Sequence, residues 1–183
     1  MEYFDIYNED GNPTGEKVER TVAHEKGILH AAVHIYVYRQ IGENLEILLQ
    51  KRADNKDSFP SCWDTSCAGH VTAGDSFDKT VVKELGEELG IFIKLGDAKH
   101  LFTKIVTKIN TFHGKIFNDH EVYKVYALEY DAPIESFNFQ KEEVSALKWM
   151  DASSLLNELE NRNAEYCIMP DTYKEFLTAL SQN

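Results

Sequence analysis

Residues 69–91 read GHVTAGDSFDKTVVKELGEELGI, and this stretch constrains the fold more than any other in the chain. At about 100° per residue, a helix through its middle puts Phe77, Val81, Val82, Leu85 and Leu89 on one arc that must be buried. Glu84, Glu87 and Glu88 stand at i, i+3 and i+4 on the adjacent arc, so their side chains crowd together. Asp75 or Ser76 is placed to cap this helix, and Gly90 to end it. Like charges at such spacings cost about 0.2–0.5 kcal/mol per pair when nothing neutralises them. A hard divalent cation would turn that cost into binding, because Mg²⁺ takes carboxylate oxygens together with substrate phosphate oxygens. The competing reading is a solvated acidic face, and for a bare ELGEEL it would be the better one.

The full pattern decides between them. It resembles the Nudix box, G-x5-E-x7-R-E-U-x-E-E-x-G-U, where U is a bulky aliphatic residue. Gly69, Glu84, Leu85, Glu87, Glu88, Gly90 and Ile91 match it, while Asp75 stands for Glu and Lys83 for Arg. Both departures keep the charge, although Lys83 lacks the planar two-pronged carboxylate contact of Arg. The resemblance implies an α+β fold, an α/β/α sandwich with a mixed β-sheet between helices. It also implies cleavage of a phosphoanhydride in a nucleoside diphosphate derivative or related diphosphate, with Mg²⁺ or Mn²⁺ as cofactor and water as the nucleophile. Glu84, Glu87 and Glu88 would then be both metal ligands and catalytic residues. Gly69 would let its backbone approach the metal. The general base is a box glutamate or a carboxylate from a later loop, and both stay open.

Outside the box, roughly residues 2–150 are similar to isopentenyl-diphosphate isomerase and its hydrolase-like relatives. The pieces are AHEKGILHAAVH at 23–34, LLQKRADNKDSFPSCWDTSCAGH at 48–70 and DHEVY at 119–123. The resemblance implies a second divalent metal site at His24, His30, His70, Asp119 and Glu121, although His24 falls one residue closer to His30 than in the isomerase. Imidazole with carboxylate suits Zn²⁺ or Mn²⁺. Asp119 and Glu121 share one strand face, so either can instead serve the hydrolytic site. The isomerase moves a proton with a cysteine directly before its Gly-His pair. Here Ala68 holds that position, and Cys67 beside it points to the opposite strand face. The isomerase keeps only the last box glutamate, whereas Glu84 and Glu87 are present here. Both departures favour hydrolysis. The alternatives are an isomerase acting on an isoprenoid diphosphate and a Nudix domain that binds a nucleotide without turnover, the latter suggested by Asp75 and Lys83.

Lys51, Arg52 and Lys56 form a basic cluster near the site. Arg52 and Lys56 fall where the isomerase grips its diphosphate, and with Lys83 they are the expected substrate-binding cations. The formal charge of −12 argues against a nucleic-acid polymer, which needs a basic face. It also means that an anionic substrate requires metal or a local basic pocket. Three cysteines without a C-x-x-C pattern read as free thiols. The acidic N-terminus, without a signal peptide or membrane-length apolar run, gives a cytoplasmic expectation. The expected partner is a small-molecule diphosphate, with a homodimer admitted and a membrane not.

The chain reads as one domain over 1–183, with residues 1–28 as an N-terminal hairpin or arm turning at Asp10-Gly11-Asn12-Pro13. Val22 to Leu29 carries a turn at Gly27. Ala31–Arg39 and Leu45–Arg52 read as paired strands, followed by a loop to Trp63 and a short strand at Ser66–Val71. Lys99–Phe112 and Lys115–Tyr130 read as long strands joined at His113-Gly114, and Ala146–Met150 as another. Ser153 or Ser154 is the expected cap of a helix burying Leu155, Leu156 and Leu159. Pro170-Asp171 opens the last helix, which carries Tyr173, Phe176, Leu177 and Leu180.

Overall fold

A computed structural model describes residues 1–56, 58–112 and 114–182. Strands β1 (Tyr3–Tyr7) and β2 (Pro13–Glu19) form a separate antiparallel hairpin, followed by helix α1 (Arg20–Lys26). The main sheet contains β3 (His30–Ile41), β4 (Asn44–Arg52), β5 (Trp63–Asp64), β6 (Cys67–His70), β7 (Lys99–Phe112), β8 (Lys115–Glu129) and β9 (Val144–Asp151). Helix α2 (Phe77–Leu89) follows β6, and α3 (Ala152–Glu160) and α4 (Pro170–Ser181) end the chain. Strands run in the order β5-β4-β3-β8-β7, with β6 also on β3 and β9 also on β4. The β3–β8 pair is parallel and the others are antiparallel. This is the mixed sheet expected of an α+β sandwich.

Alternation along β3 sorts the two layers. Ala31, Val33, Ile35 and Val37 face the core shared with Val81, Leu85 and Leu89 of α2. Ala32 and Tyr36 face the other core, shared with Leu155 and Leu159 of α3 and Tyr173 and Phe176 of α4. His30 and His34 therefore fall on the second face. On β8, Tyr123, Val125 and Ala127 face that same layer, so Asp119 and Glu121 share it by the same period.

The turn expected at Gly27 is present, in the left-handed region at φ 63°, where it ends α1, and Glu19 caps that helix by accepting from Thr21 N. Two expectations are corrected. The cap of α3 is Asp151, whose Oδ1 accepts from Ser154 N at 2.8 Å, rather than Ser153 or Ser154. The loop expected as far as Trp63 is shorter, since Trp63–Asp64 pairs with β4. Of the expected β7–β8 turn, His113 lies outside the described residues, while Gly114 has φ 75°. Of the two expected caps of α2 it is Ser76 that serves, and Gly90 ends the helix at φ 69° as expected. No helix among the described residues is long and apolar enough to cross a membrane.

Candidate functional site

The three box carboxylates occupy three environments on one helix. Glu87 is 57% exposed and Glu84 13% by side chain, while Glu88 is buried. Burial pushes the Glu84 carboxyl above its ordinary range, against the pull of Lys83. Burial pushes Glu88 further, to about 7, partly offset by the Cys67 thiol beside it. Gln50 Nε2 donates to Glu88 Oε2 at 3.3 Å. Lys83 Nζ lies 3.3 Å from Glu84 Oε1 and 3.6 Å from Glu87 Oε2, so it bridges both carboxylates without the fork of an Arg. Gly69 is required by contact: a Cβ there would lie 2.5 Å from Glu84 Cδ. The backbone and the carboxylate approach as closely as only Gly permits.

A second group gathers at the end of the sheet. His24 from α1, His30 from β3, His70 from β6 and Asp119 from β8 each offer a ligand atom, and these atoms lie within 4.8 Å of one another. His24 Nε2 is 3.3 Å from His70 Nε2 and 3.6 Å from Asp119 Oδ1. The Nδ1 of His30 sits 2.8 Å from the Ile28 carbonyl, which can only accept, so Nδ1 carries the proton and Nε2 keeps its lone pair. That Nε2 and Asp119 Oδ1 are both buried without a hydrogen-bond partner among the described residues. Burial, and then the neighbouring His70, push the His30 pKa down to about 4. Glu121 receives His70 Nε2 at 3.4 Å and His34 Nε2 at 3.9 Å. Burial alone would raise its pKa, and the two imidazoles instead hold it well below the carboxylate range. Thus the five residues suggested outside the box converge, with Glu121 one step from the others and turned toward His34.

Aromatic rings hold these imidazoles. Phe4 of β1 stacks on His30 and on His70, each at 4.8 Å between centroids, and Phe117 stacks on His24 at 4.4 Å. Sequence reasoning missed Phe4, His34, Gln50 and Phe117. Only His34 carried a usable signal, since it shares the alternation of His30 along one strand.

His24, His70, Asp119 and Glu121 line one cleft of about 1310 Å³ with the three box carboxylates, Arg52, Lys56 and Lys83, whereas His30 is fully buried. Arg52 is braced by Ser58 O at 3.0 Å and Asp64 Oδ2 at 3.3 Å, and Lys56 pairs with Glu143. The β3–β6 register runs His34↔Ala68 and Ile35↔Cys67 without a shift. Ala68 accordingly lines the cleft. Cys67 is fully buried in the α2-side core, where burial raises its thiol pKa well above the ordinary value. A β-bulge at Cys67-Ala68 could turn the Cys67 side chain to the other face, and this pairing has none.

The family model described as NUDIX domain matches residues 28–171. Nudix hydrolase 3 of Arabidopsis thaliana is 38% identical over 168 residues, which are 90% of this chain and 21% of that protein. The chain thus spans about a fifth of that relative's length. An isopentenyl-diphosphate Delta-isomerase of Aliivibrio fischeri is 31% identical over 182 residues, 99% of this chain and 98% of that protein. A crystal structure from Deinococcus radiodurans superposes with a TM-score of 0.73 at 19% identity, covering 94% of this chain and 98% of that one. That likeness shows the fold alone.

Proposed function

This chain belongs to the NUDIX domain family, and from that premise we propose that it is a metal-dependent hydrolase of a phosphoanhydride bond in a diphosphate substrate. The observation that carries the reading is that Glu84, Glu87 and Glu88 all open on one cleft, with Glu84 pressed against Gly69 where no Cβ fits. Isomerisation is disfavoured at the same place, because the cleft-facing strand position is Ala68, which has no ionisable atom.

The residues fit divalent metal on the structure's own chemistry. Three carboxylates crowd one helical turn, and the histidine group contains two buried ligand atoms, His30 Nε2 and Asp119 Oδ1, with no partner. Glu84, Glu87, Glu88 and the Gly69 backbone would hold one ion, and His24, His30, His70 and Asp119, with Glu121 behind His70, a second. Bound divalent ions neutralise a diphosphate and lower the pKa of water. The chain's own groups do the remaining work. Lys56 and Lys83 meet the diphosphate charge by exchanging carboxylate partners for phosphate, and Arg52 holds the loop that carries Lys56. The proton released by the attacking water goes to a carboxylate of the same cleft.

The test is a screen of nucleoside diphosphate derivatives and isoprenoid diphosphates, with Mg²⁺, with Mn²⁺ and with chelator. Release of phosphate or of a nucleoside monophosphate that requires the metal is expected. Absence of cleavage across the panel, with tight binding of a nucleotide, would replace this reading by a non-catalytic nucleotide-binding domain.

A further inference from the structure

The inner end of the cleft holds two polar groups that no other described residue uses. Tyr36 Oη and Thr65 Oγ1 are buried without a hydrogen-bond partner among the described residues. Tyr36 is 0% and Thr65 2% exposed, and both residues line the cleft. Their neighbours are already committed. Thr172 Oγ1 bonds Tyr123 Oη at 3.0 Å, and Cys167 Sγ donates to Trp63 O at 3.5 Å. Asp64 accepts from Thr65 N at 2.8 Å through Oδ1 and from Arg52 at 3.3 Å through Oδ2, which leaves carboxylate lone pairs over. The Tyr36 ring cannot turn away, being stacked on Phe176 at 4.1 Å between centroids. Along β3 it lies three same-face steps beyond His30, about 20 Å at the usual rise.

We propose that this inner end recognises a hydrogen-bonding moiety of the substrate, the edge of a nucleobase or the hydroxyls of a sugar, through Tyr36 Oη and Thr65 Oγ1 with Asp64 beside them. The inference rests on the diphosphate reading only in placing the phosphates at the box carboxylates. Each hydroxyl both donates and accepts, and the carboxylate accepts. This is the mixture that a ligand presenting adjacent N–H or O–H and C=O groups satisfies. A hydrocarbon chain in the same place would leave both hydroxyls unpaired and dry. A site built to bond a polar group rejects an analogue that lacks it far more strongly than an apolar pocket rejects an added hydroxyl. The site therefore selects against an isoprenoid tail by its chemistry.

The test is titration of the wild type, Tyr36→Phe and Thr65→Val, in Mg²⁺, with three kinds of probe. These are the α,β-methylene nucleoside diphosphates of the common bases, ribose 5-diphosphate without a base, and isopentenyl diphosphate. The wild type is expected to prefer a nucleoside or ribose probe over isopentenyl diphosphate. Each substitution is expected to cut that preference about tenfold or more. Loss confined to nucleoside probes identifies a base edge, and equal loss with ribose 5-diphosphate identifies sugar hydroxyls. Selectivity unchanged in both variants, or wild-type preference for isopentenyl diphosphate, overturns the proposal. Without ligand, Tyr36→Phe is expected to melt within about 2 °C of wild type or above it, since it deletes an unpaired buried group. A fall of about 5 °C or more would give the hydroxyl a structural partner and would equally overturn it. Turnover is assayed separately. The expected selectivity shift without metal-dependent cleavage of any unmodified nucleoside diphosphate derivative would sink the hydrolase reading alone, and such cleavage without the shift would sink this one alone.

Discussion

Glu84, Glu87 and Glu88 come from little more than one turn of α2, whereas His24, His30, His70 and Asp119 come from α1, β3, β6 and β8. Apart from the fully buried His30, the two groups line the same cleft, yet they hold their charges differently. The helical carboxylates grade from exposed Glu87 to buried Glu88, with Lys83 reaching two of them. In the histidine group His24 and His30 are buried and His70 and Asp119 half-buried, under Phe4 and Phe117, with two ligand atoms that have no partner among the described residues. Lys83 screens Glu84 and Glu87, and water reaches Glu87. The histidine group has no such screen, so metal should matter to the fold there and to the chemistry on the helix.

The sharpest separation is Glu87→Gln. Turnover is expected to fall by about a hundredfold or more, as for loss of a group that holds a catalytic metal. Its side chain is 57% exposed, so the melting temperature should stay within about 2 °C. Near-normal turnover at saturating Mg²⁺ would break the comparison at the helix. Next is Gly69→Ala, whose methyl group must displace the Glu84 carboxylate. A loss of about tenfold or more in kcat is expected, and turnover kinetics beside a melt separate this from unfolding.

The third prediction concerns the histidine group. Saturating Mn²⁺, at about a hundred times its Kd, should raise the melting temperature of the wild type by about 5–10 °C. Asp119→Asn should lose most of that rise, while Glu87→Gln should keep it. Calorimetry of the three proteins with and without Mn²⁺ checks this, and an equal rise in all three would mean that the histidine group holds no ion. The smallest effect is expected from Lys83→Arg. Lys83 already lies between Glu84 and Glu87, so restoring the planar fork should alter kcat by no more than about threefold. A large gain in the same steady-state assay would show that the carboxylates are poorly oriented as they stand.

The same contrast explains what was legible in the sequence. The helix carries its information in local spacing, so its buried arc, its Ser76 cap, its Gly90 end and its acidic turn could all be read directly. Alternation likewise put Asp119 and Glu121 on one face, and separated Cys67 from Ala68. The histidine group depends on pairing between distant strands, and it was visible only through resemblance. Its α1 member was hidden further, because a seven-residue helix capped by Glu19 offers neither a Ser, Thr, Asp or Asn start nor a long period. Phe4, some twenty residues before the first histidine, had no local signal at all. The unpaired hydroxyls of Tyr36 and Thr65 are equally silent in sequence, since being unpaired is a property of packing.

Proton exchange on isopentenyl diphosphate tests the central claim, hydrolysis at the box with an inert strand position at Ala68, most directly. The protein is incubated with isopentenyl diphosphate in D₂O and divalent metal, and deuterium incorporation is followed by mass spectrometry. In parallel, phosphate release from the nucleoside diphosphate panel is measured. The account predicts no deuterium incorporation above the protein-free rate, alongside metal-dependent cleavage of at least one nucleoside diphosphate derivative that Glu87→Gln abolishes. Incorporation at a catalytic rate that Cys67→Ala removes would contradict it, placing Cys67 at the cleft and making the chain an isomerase.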